Sequence, residues 1–281
     1  MKLYKRDAEI YIYDEKQEEA FATTTHLAIA AHQDDVELMA YHGIAECFGQ
    51  KDKKFSAIIL TNGSGSPRSG IYKDYTDEEM MLQRKKEQKK AAFIGEYATL
   101  SLLMYPSNEV KDNKNNYVVE DIFNILMATK PQIVYTHNLA DKHETHVATA
   151  LRTISAINMM PKADRPSIVY GCEVWRDLDW INDDKKIRLD VGKKTNIAQA
   201  LTGVFDSQIS GGKQYATAVE GRRIANATFA DDHAIDTLQK VTYAMDLTPL
   251  ISDEHMSIID FINDYINDFK SDVNNKILKL L

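Results

Sequence analysis

Two short polar clusters concentrate the residue types that perform metal-assisted chemistry. The first is Ala31-His32-Gln33-Asp34-Asp35-Val36-Glu37; the second is Thr136-His137-Asn138-Leu139-Ala140-Asp141-Lys142-His143-Glu144-Thr145-His146. Together they hold four of the chain's eight histidines, so the imidazoles are grouped rather than scattered. A catalytic zinc takes about three protein ligands and keeps a further position for water. His32 and Asp35 lie three residues apart, as do His143 and His146, which share a face if a helix begins there. Three ligands that include Asp35 leave a spare histidine, with Asp34 as a spare carboxylate. Those spares are the acid and base that a hydrolysis needs. The structural alternative is that Asp34 and Asp35 merely cap a following helix and that His143 stands on a solvated helix start. His143 and His146 are too close together for the HExxH zincin motif.

The surrounding pattern says what must position these clusters. Short apolar runs at 26–31, 55–60, 100–105, 132–137, 167–174 and 187–191 read as strands. Segments 35–48, 77–94, 118–129 and 143–159 carry helical spacing, and Thr76 followed by Asp77, Glu78 and Glu79 is a helix start. The stretch 107–116 reads as a loop, whereas 193–205, 213–229 and 256–281 read as helices. This alternation predicts an α/β fold: a doubly wound, mainly parallel sheet with helices on both faces. One domain over 1–281 is expected, with a sheet core at 26–192 and a mainly helical C-terminal portion at 193–281. Ligands of such sheets collect at the carboxyl ends of the strands, which is where both clusters fall.

Composition narrows the class further. The chain has 34 Lys plus Arg against 42 Asp plus Glu, a net charge of −8, which argues against a nucleic-acid partner. Its 44% hydrophobic content suits a folded core and excludes a disordered chain. Cys47 and Cys172 form no CxxC and no disulfide framework. The first residues lack an uninterrupted signal-type apolar run, and no stretch approaches ~18 apolar residues. A cytoplasmic chain without membrane insertion, acting on a small molecule, is expected.

AHQDDVE at 31–37 closely resembles the AHPDDxE signature of the PIG-L/LmbE-like deacetylases, and HETH at 143–146 falls where that family has an HPDH-type signature. TNGSG at 61–65, the Arg84, Glu87 and Ala91 spacing, and Asp141 two residues before His143 are also similar to the family pattern. The order and spacing hold over about 26–150, and 193–229 with Ser207-Gln208 is similar more loosely. The resemblance implies a Rossmann-like core and a zinc-dependent enzyme, one Zn2+ per chain, that removes acetyl groups from N-acetyl amino sugars or their conjugates. It implies that His32, Asp35 and His146 hold the metal and that Asp34 is the general base. His143 would be the general acid or oxyanion stabiliser, and Arg84 would lie near the sugar. Asp141 would support the ligands from behind, and His137, at a strand end, either orients a ligand or is a satisfied core histidine. Three positions depart from the pattern: Gln33 and Glu144 stand where prolines are usual, and Thr145 where aspartate is common. A looser turn is expected at Gln33, and Asp141 or Glu144 in place of the lost aspartate.

Other features have weaker readings. The glycine-rich loop at 61–70 is followed by no GK[ST], so it is not a P-loop. Arg68, Tyr72, Lys73 and Tyr75 line a sugar cleft or form an ordinary loop. Trp175 and Trp180 make a substrate wall or pack, and His233 with its acidic neighbours is a site rim or a bystander. The apolar face of the last helix packs on the core or joins copies into a homo-oligomer. Two other functions compete with deacetylation. A nucleotide-binding Rossmann-like module would need a glycine-rich turn where this chain has His-Gln-Asp-Asp. A catalytically degenerate relative would keep metal and fold but act as a sugar- or ligand-binding protein.

Overall fold

The computed structural model describes residues 1–281 except 15–18, 231, 232, 234 and 254. The strands are β1 (Glu9–Ile12), β2 (His26–Ala30), β3 (Phe55–Thr61), β4 (Thr99–Tyr105), β5 (Ile133–His137), β6 (Ile168–Cys172), β7 (Ile187–Asp190) and β8 (Val241–Asp246). Between them run α1 (Asp35–Met39), α2 (Tyr41–Cys47), α3 (Asp77–Ile94), α4 (Ser107–Lys111), α5 (Asn116–Thr129) and α6 (Glu144–Met159). The remainder comprises α7 (Thr195–Gly203), α8 (Asp206–Ile209), α9 (Tyr215–Thr228), α10 (Pro249–Ser252) and α11 (Ile258–Leu280).

All eight strands join one sheet in the order β1-β4-β3-β2-β5-β6-β8-β7. The run β4-β3-β2-β5-β6 is parallel, and β1, β8 and β7 pair antiparallel at the two ends. Alternation along the buried strands feeds two cores. Leu27 and Ile29 of β2 face α5, α6 and α11, while Ala28 and Ala30 face α1, α2, α3 and α7. Full burial of these strands explains their uninterrupted apolar runs.

The topology locates the site. From β2 the chain winds outward through β3 and β4, then returns to β5 on the other side of β2. The crevice between β2 and β5 is therefore the switch point, and His26 to Ala28 pair in register with Ile133 to Tyr135. Both polar clusters leave the sheet side by side at this place. Beside it runs α3, begun by a capping box in which Thr76 and Glu79 satisfy each other's backbone N–H groups. Such a cap contributes about 1 kcal/mol.

Several sequence expectations need correction. The segment 35–48 is broken at Ala40 into α1 and α2, and the 107–116 loop contains α4. The C-terminal portion is mostly helical, yet it donates β8 to the middle of the sheet's far half, where it pairs with both β6 and β7. No sequence reading anticipated β8 or β1. In α11, Phe261 and Tyr265 pack on the core, while Ile277, Leu278 and Leu280 stay exposed. No helix among the described residues is long and apolar enough to cross a membrane.

Candidate active site

Three side-chain atoms converge at the switch point. His32 Nδ1 lies 3.1 Å from Asp35 Oδ2 and 3.2 Å from His146 Nε2, and those last two are 3.3 Å apart. His32 and Asp35 come from the turn after β2, and His146 from the first turn of α6. His143, at the N-cap of α6, stacks on His146 with ring centroids 4.6 Å apart and stands 4.9 Å from the His32 ring. His32 and His143 are half-buried and His146 is fully buried, so solvent reaches the cluster from the His32–His143 side.

The donor set fits a cation. Asp141 Oδ2 sits 3.3 Å from His146 Nδ1 and orients the ring so that Nε2 faces the Asp35 oxygen. The three facing atoms favour a positive charge among them, supplied by a proton on His146 or, in its place, by a metal ion. Their 3.1–3.3 Å spacing is also what ligands about 2.0–2.2 Å from one ion produce. The protein's own electrostatics agree. Burial works against a charge on His146, but Asp35 and Asp141 overcome it and raise its pKa to about 9. Burial likewise opposes ionisation of Asp35, yet His146 and His137 hold it well below the usual carboxylate range.

His137 is excluded from this set by its hydrogen bonding. Its Nε2 is 3.5 Å from Asp35 Oδ2, but it accepts the Ala31 N–H at 3.0 Å, which occupies its lone pair. Burial and the neighbouring His146 push its pKa well down, so it is a neutral ring stacked 3.9 Å from His146. Asp141 backs the cluster: besides His146 it accepts from the backbone N–H groups of His143 and Trp175.

Asp34 lies beside Asp35 in a different environment. Its backbone is strained at φ 88°, a conformation rare for a residue with a side chain. The helix-capping alternative fails for it: Asp34 occupies the N-cap of α1, but its side chain makes no capping bond. Two buried residues hold it instead. Gln88 Oε1 accepts the Asp34 N–H at 3.0 Å, while Gln88 Nε2 donates to Glu37, which Tyr97 also contacts. Arg84 Nη2 lies 3.0 Å from Asp34 Oδ2 and also donates to the Gln33 carbonyl. Burial raises the Asp34 pKa to about 6 despite this arginine, and the Asp35 charge adds to the rise.

Arg84 thus differs from its expectation of lying near a sugar. It is 1% exposed, and its remaining contacts are Ser207 Oγ and Glu87. Glu87 in turn accepts from the backbone and hydroxyl of Ser207, so α3 is tied to α8 beneath the site.

The departures from the family pattern also acquire physical content. Gln33 is fully buried and donates to the Thr61 carbonyl at 2.9 Å, so it adds an anchor where a looser turn was expected. Gly63 at φ 79° leaves room for it; a Cβ there would meet Gln33 Oε1 at 2.6 Å. Thr145 donates its N–H to His143 Nδ1 at 3.3 Å, which puts the ring proton of neutral His143 on Nε2. Burial, with His146 and His32, lowers the His143 pKa to about 4, so the ring is neutral at pH 7 rather than protonated. Glu144 is exposed and paired with Lys111, so it does not replace the missing aspartate.

A pocket of 130 Å3 opens from Asp34 and Asp35 toward α9 and includes Trp175, Tyr215 and Glu173 among its walls. Trp175 was weighed in the sequence as a wall or a packing residue. Tyr215, Gln88 and Glu173 carried no sequence signal, because each is brought in by an element distant in the chain. His233 is exposed, and the acidic neighbours that suggested a rim, at 231 and 232, lie outside the described residues.

Comparison with known proteins agrees with this architecture. N,N'-diacetylchitobiose deacetylase from Pyrococcus horikoshii superposes with a TM-score of 0.63 at 14% identity, over 89% of this chain and 92% of that one. The 4-carboxy-2-hydroxymuconate hydratase of Pseudomonas putida gives 0.61 at 16%, over 80% and 95%. A deacetylase of teicoplanin biosynthesis gives 0.56 at 12%, over 79% and 97%. At such identities the likeness establishes the Rossmann-like fold alone. No curated protein matches the sequence significantly. The family model for PIG-L, GlcNAc-PI de-N-acetylase, matches 27–157, the stretch that carries both polar clusters. Residues 27–157 of this chain are a PIG-L family domain.

Proposed function

We propose that this chain is a metal-dependent deacetylase that hydrolyses the acetamide of an N-acetylated amino sugar or its conjugate, of the N-acetylglucosamine type, to acetate and a free amine. The observation that carries this reading is the 3.1–3.3 Å triangle of His32, Asp35 and His146 with Asp34 alongside. A divalent ion held there, zinc and one per chain in our reading, supplies a Lewis acid that acidifies water and polarises an amide carbonyl.

The chain's own groups do the proton work. Asp34, held by Arg84 and Gln88, takes a proton from the attacking water. His143, neutral with its proton on Nε2, donates a hydrogen bond to the oxygen that gains charge as the carbonyl carbon becomes tetrahedral. The proton on Asp34 then passes to the amide nitrogen as the C–N bond breaks. Water is thereby divided, its hydroxyl on the acetyl carbon and its hydrogen on the amine. Arg84 acts on this chemistry through Asp34, from a fully buried position.

A degenerate binding protein was the competing reading, on the strength of Thr145. The backbone N–H of residue 145 sets the His143 tautomer whatever side chain stands there, so the change to threonine leaves that contact in place. The same fold also carries a hydratase, so the reading stands on side chains and not on the fold. Two free, buried cysteines suit a reducing, cytoplasmic setting.

The test is acetate release from N-acetylglucosamine and its conjugates by protein reconstituted with zinc, iron, cobalt or nickel. One related structure is a zinc-inhibited deacetylase, so zinc should be titrated from below one equivalent. Acetate formed in step with free amine is the expected result. Silence across metals and substrates would overturn the reading.

A further inference from the structure

The pocket beside Asp34 and Asp35 is unlike the histidine side of the site. Its apolar walls are Leu38 of α1, Val174 and Trp175 after β6, and Tyr215, Ala218 and Val219 of α9, with Thr242 of β8 beside them. Trp175 and Tyr215 meet edge to face with centroids 6.1 Å apart and close one end.

Away from Asp34 and Asp35, the charged residues around this pocket direct most of their hydrogen-bonding groups elsewhere, Arg223 Nε excepted. Glu173 accepts from Asn226 and from the backbone N–H groups of Leu178 and Tyr243. Arg222 donates to the Val174 carbonyl, and Arg223 to the carbonyls of Glu37 and Leu38. A sugar ring placed here would bury hydroxyls among apolar walls, at a cost for each one unpaired. Hydrocarbon would not. The half-buried His32 and His143 side is where a hydroxylated ring keeps contact with water.

Size completes the argument. The pocket measures 130 Å3, close to the roughly 150 Å3 of an apolar cavity that takes up benzene. An acetyl group presents one methyl and leaves most of that volume unfilled. We infer that the α9 pocket receives the acyl group and that, beyond the acetamide, the protein accepts N-acyl amines with a longer acyl chain, of about four to six carbons or a single aryl ring. This rests on the amide-hydrolase reading above and extends its acyl group; the bond broken and the balance of water across it are the same.

The experiment compares N-acetyl-, N-butanoyl-, N-hexanoyl- and N-benzoylglucosamine in two ways: calorimetric binding to the metal-reconstituted Asp34→Asn protein, and turnover by the wild type. Each added methylene should raise affinity and kcat/KM about fourfold until the pocket is full. Ala218→Leu and Val219→Phe narrow the pocket from its α9 wall, and each should reduce the hexanoyl-to-acetyl ratio about tenfold. Affinity and turnover that do not increase beyond acetyl would overturn the pocket assignment and leave the deacetylase reading intact. Affinity that grows with chain length without any turnover would sustain the pocket and overturn the hydrolase reading. A ratio unchanged in both pocket variants would also overturn the assignment, since it would place the chain elsewhere.

Discussion

The two strand ends that meet at the site are held in opposite ways. After β5, the histidines stand on an unstrained helix start, and Asp141 supports them from within the same loop by bonds to His143 and His146. After β2, the backbone is forced to φ 88° at Asp34 and is held by α3, fifty or more residues away in sequence, through Gln88 and Arg84. The neighbours Asp34 and Asp35 record the difference. Asp35 faces histidines and stays ionised well below the ordinary carboxylate range, whereas burial lifts Asp34 to about 6. In the proposed mechanism these adjacent carboxylates serve as ligand and base through what lies opposite each.

Breaking the β5 side should cost most. His146→Ala removes one corner of the triangle, so both metal and turnover should disappear, as elemental analysis and an acetate assay would show together. Asp34→Asn leaves all three ligands in place; turnover should fall about 10²–10⁴-fold with metal content unchanged. Retained turnover in that variant would remove Asp34 from the role of base.

Smaller effects separate the supports from the groups they hold. Asp141→Asn should weaken metal affinity about 10–100-fold, measured by competition with a chelator. Gln88→Leu, on the β2 side, leaves the Asp34 N–H and the Glu37 carboxyl short of a partner and should lower stability by roughly 1–3 kcal/mol. Metal affinity should be unchanged, while kcat falls and KM does not. A variant that lost metal instead would show that α3 supports the whole site and not Asp34 alone.

Much of this arrangement was legible from residue order. Strand and helix periodicity placed both clusters at strand ends, and the parallel sheet brought those ends together. The topology brings the two clusters together, whereas the choice of His32, Asp35 and His146 among their side chains came from the family resemblance. What was not legible depended on contacts across the chain. Arg84 was expected near a sugar, and only the packing of α3 under the turn shows it buried against Asp34. β8 escaped notice because its pairing partners, β6 and β7, lie far from it in sequence. The α9 pocket was hidden for the same reason: its walls come from α1, the β6 end and α9.

The most direct measurement is the metal content of purified protein, wild type beside His146→Ala, by elemental analysis after reconstitution. About one divalent metal per wild-type chain, lost in the variant, is the expected result. A wild-type chain that stays metal-free, or a variant that keeps its metal, would contradict the centre built from His32, Asp35 and His146.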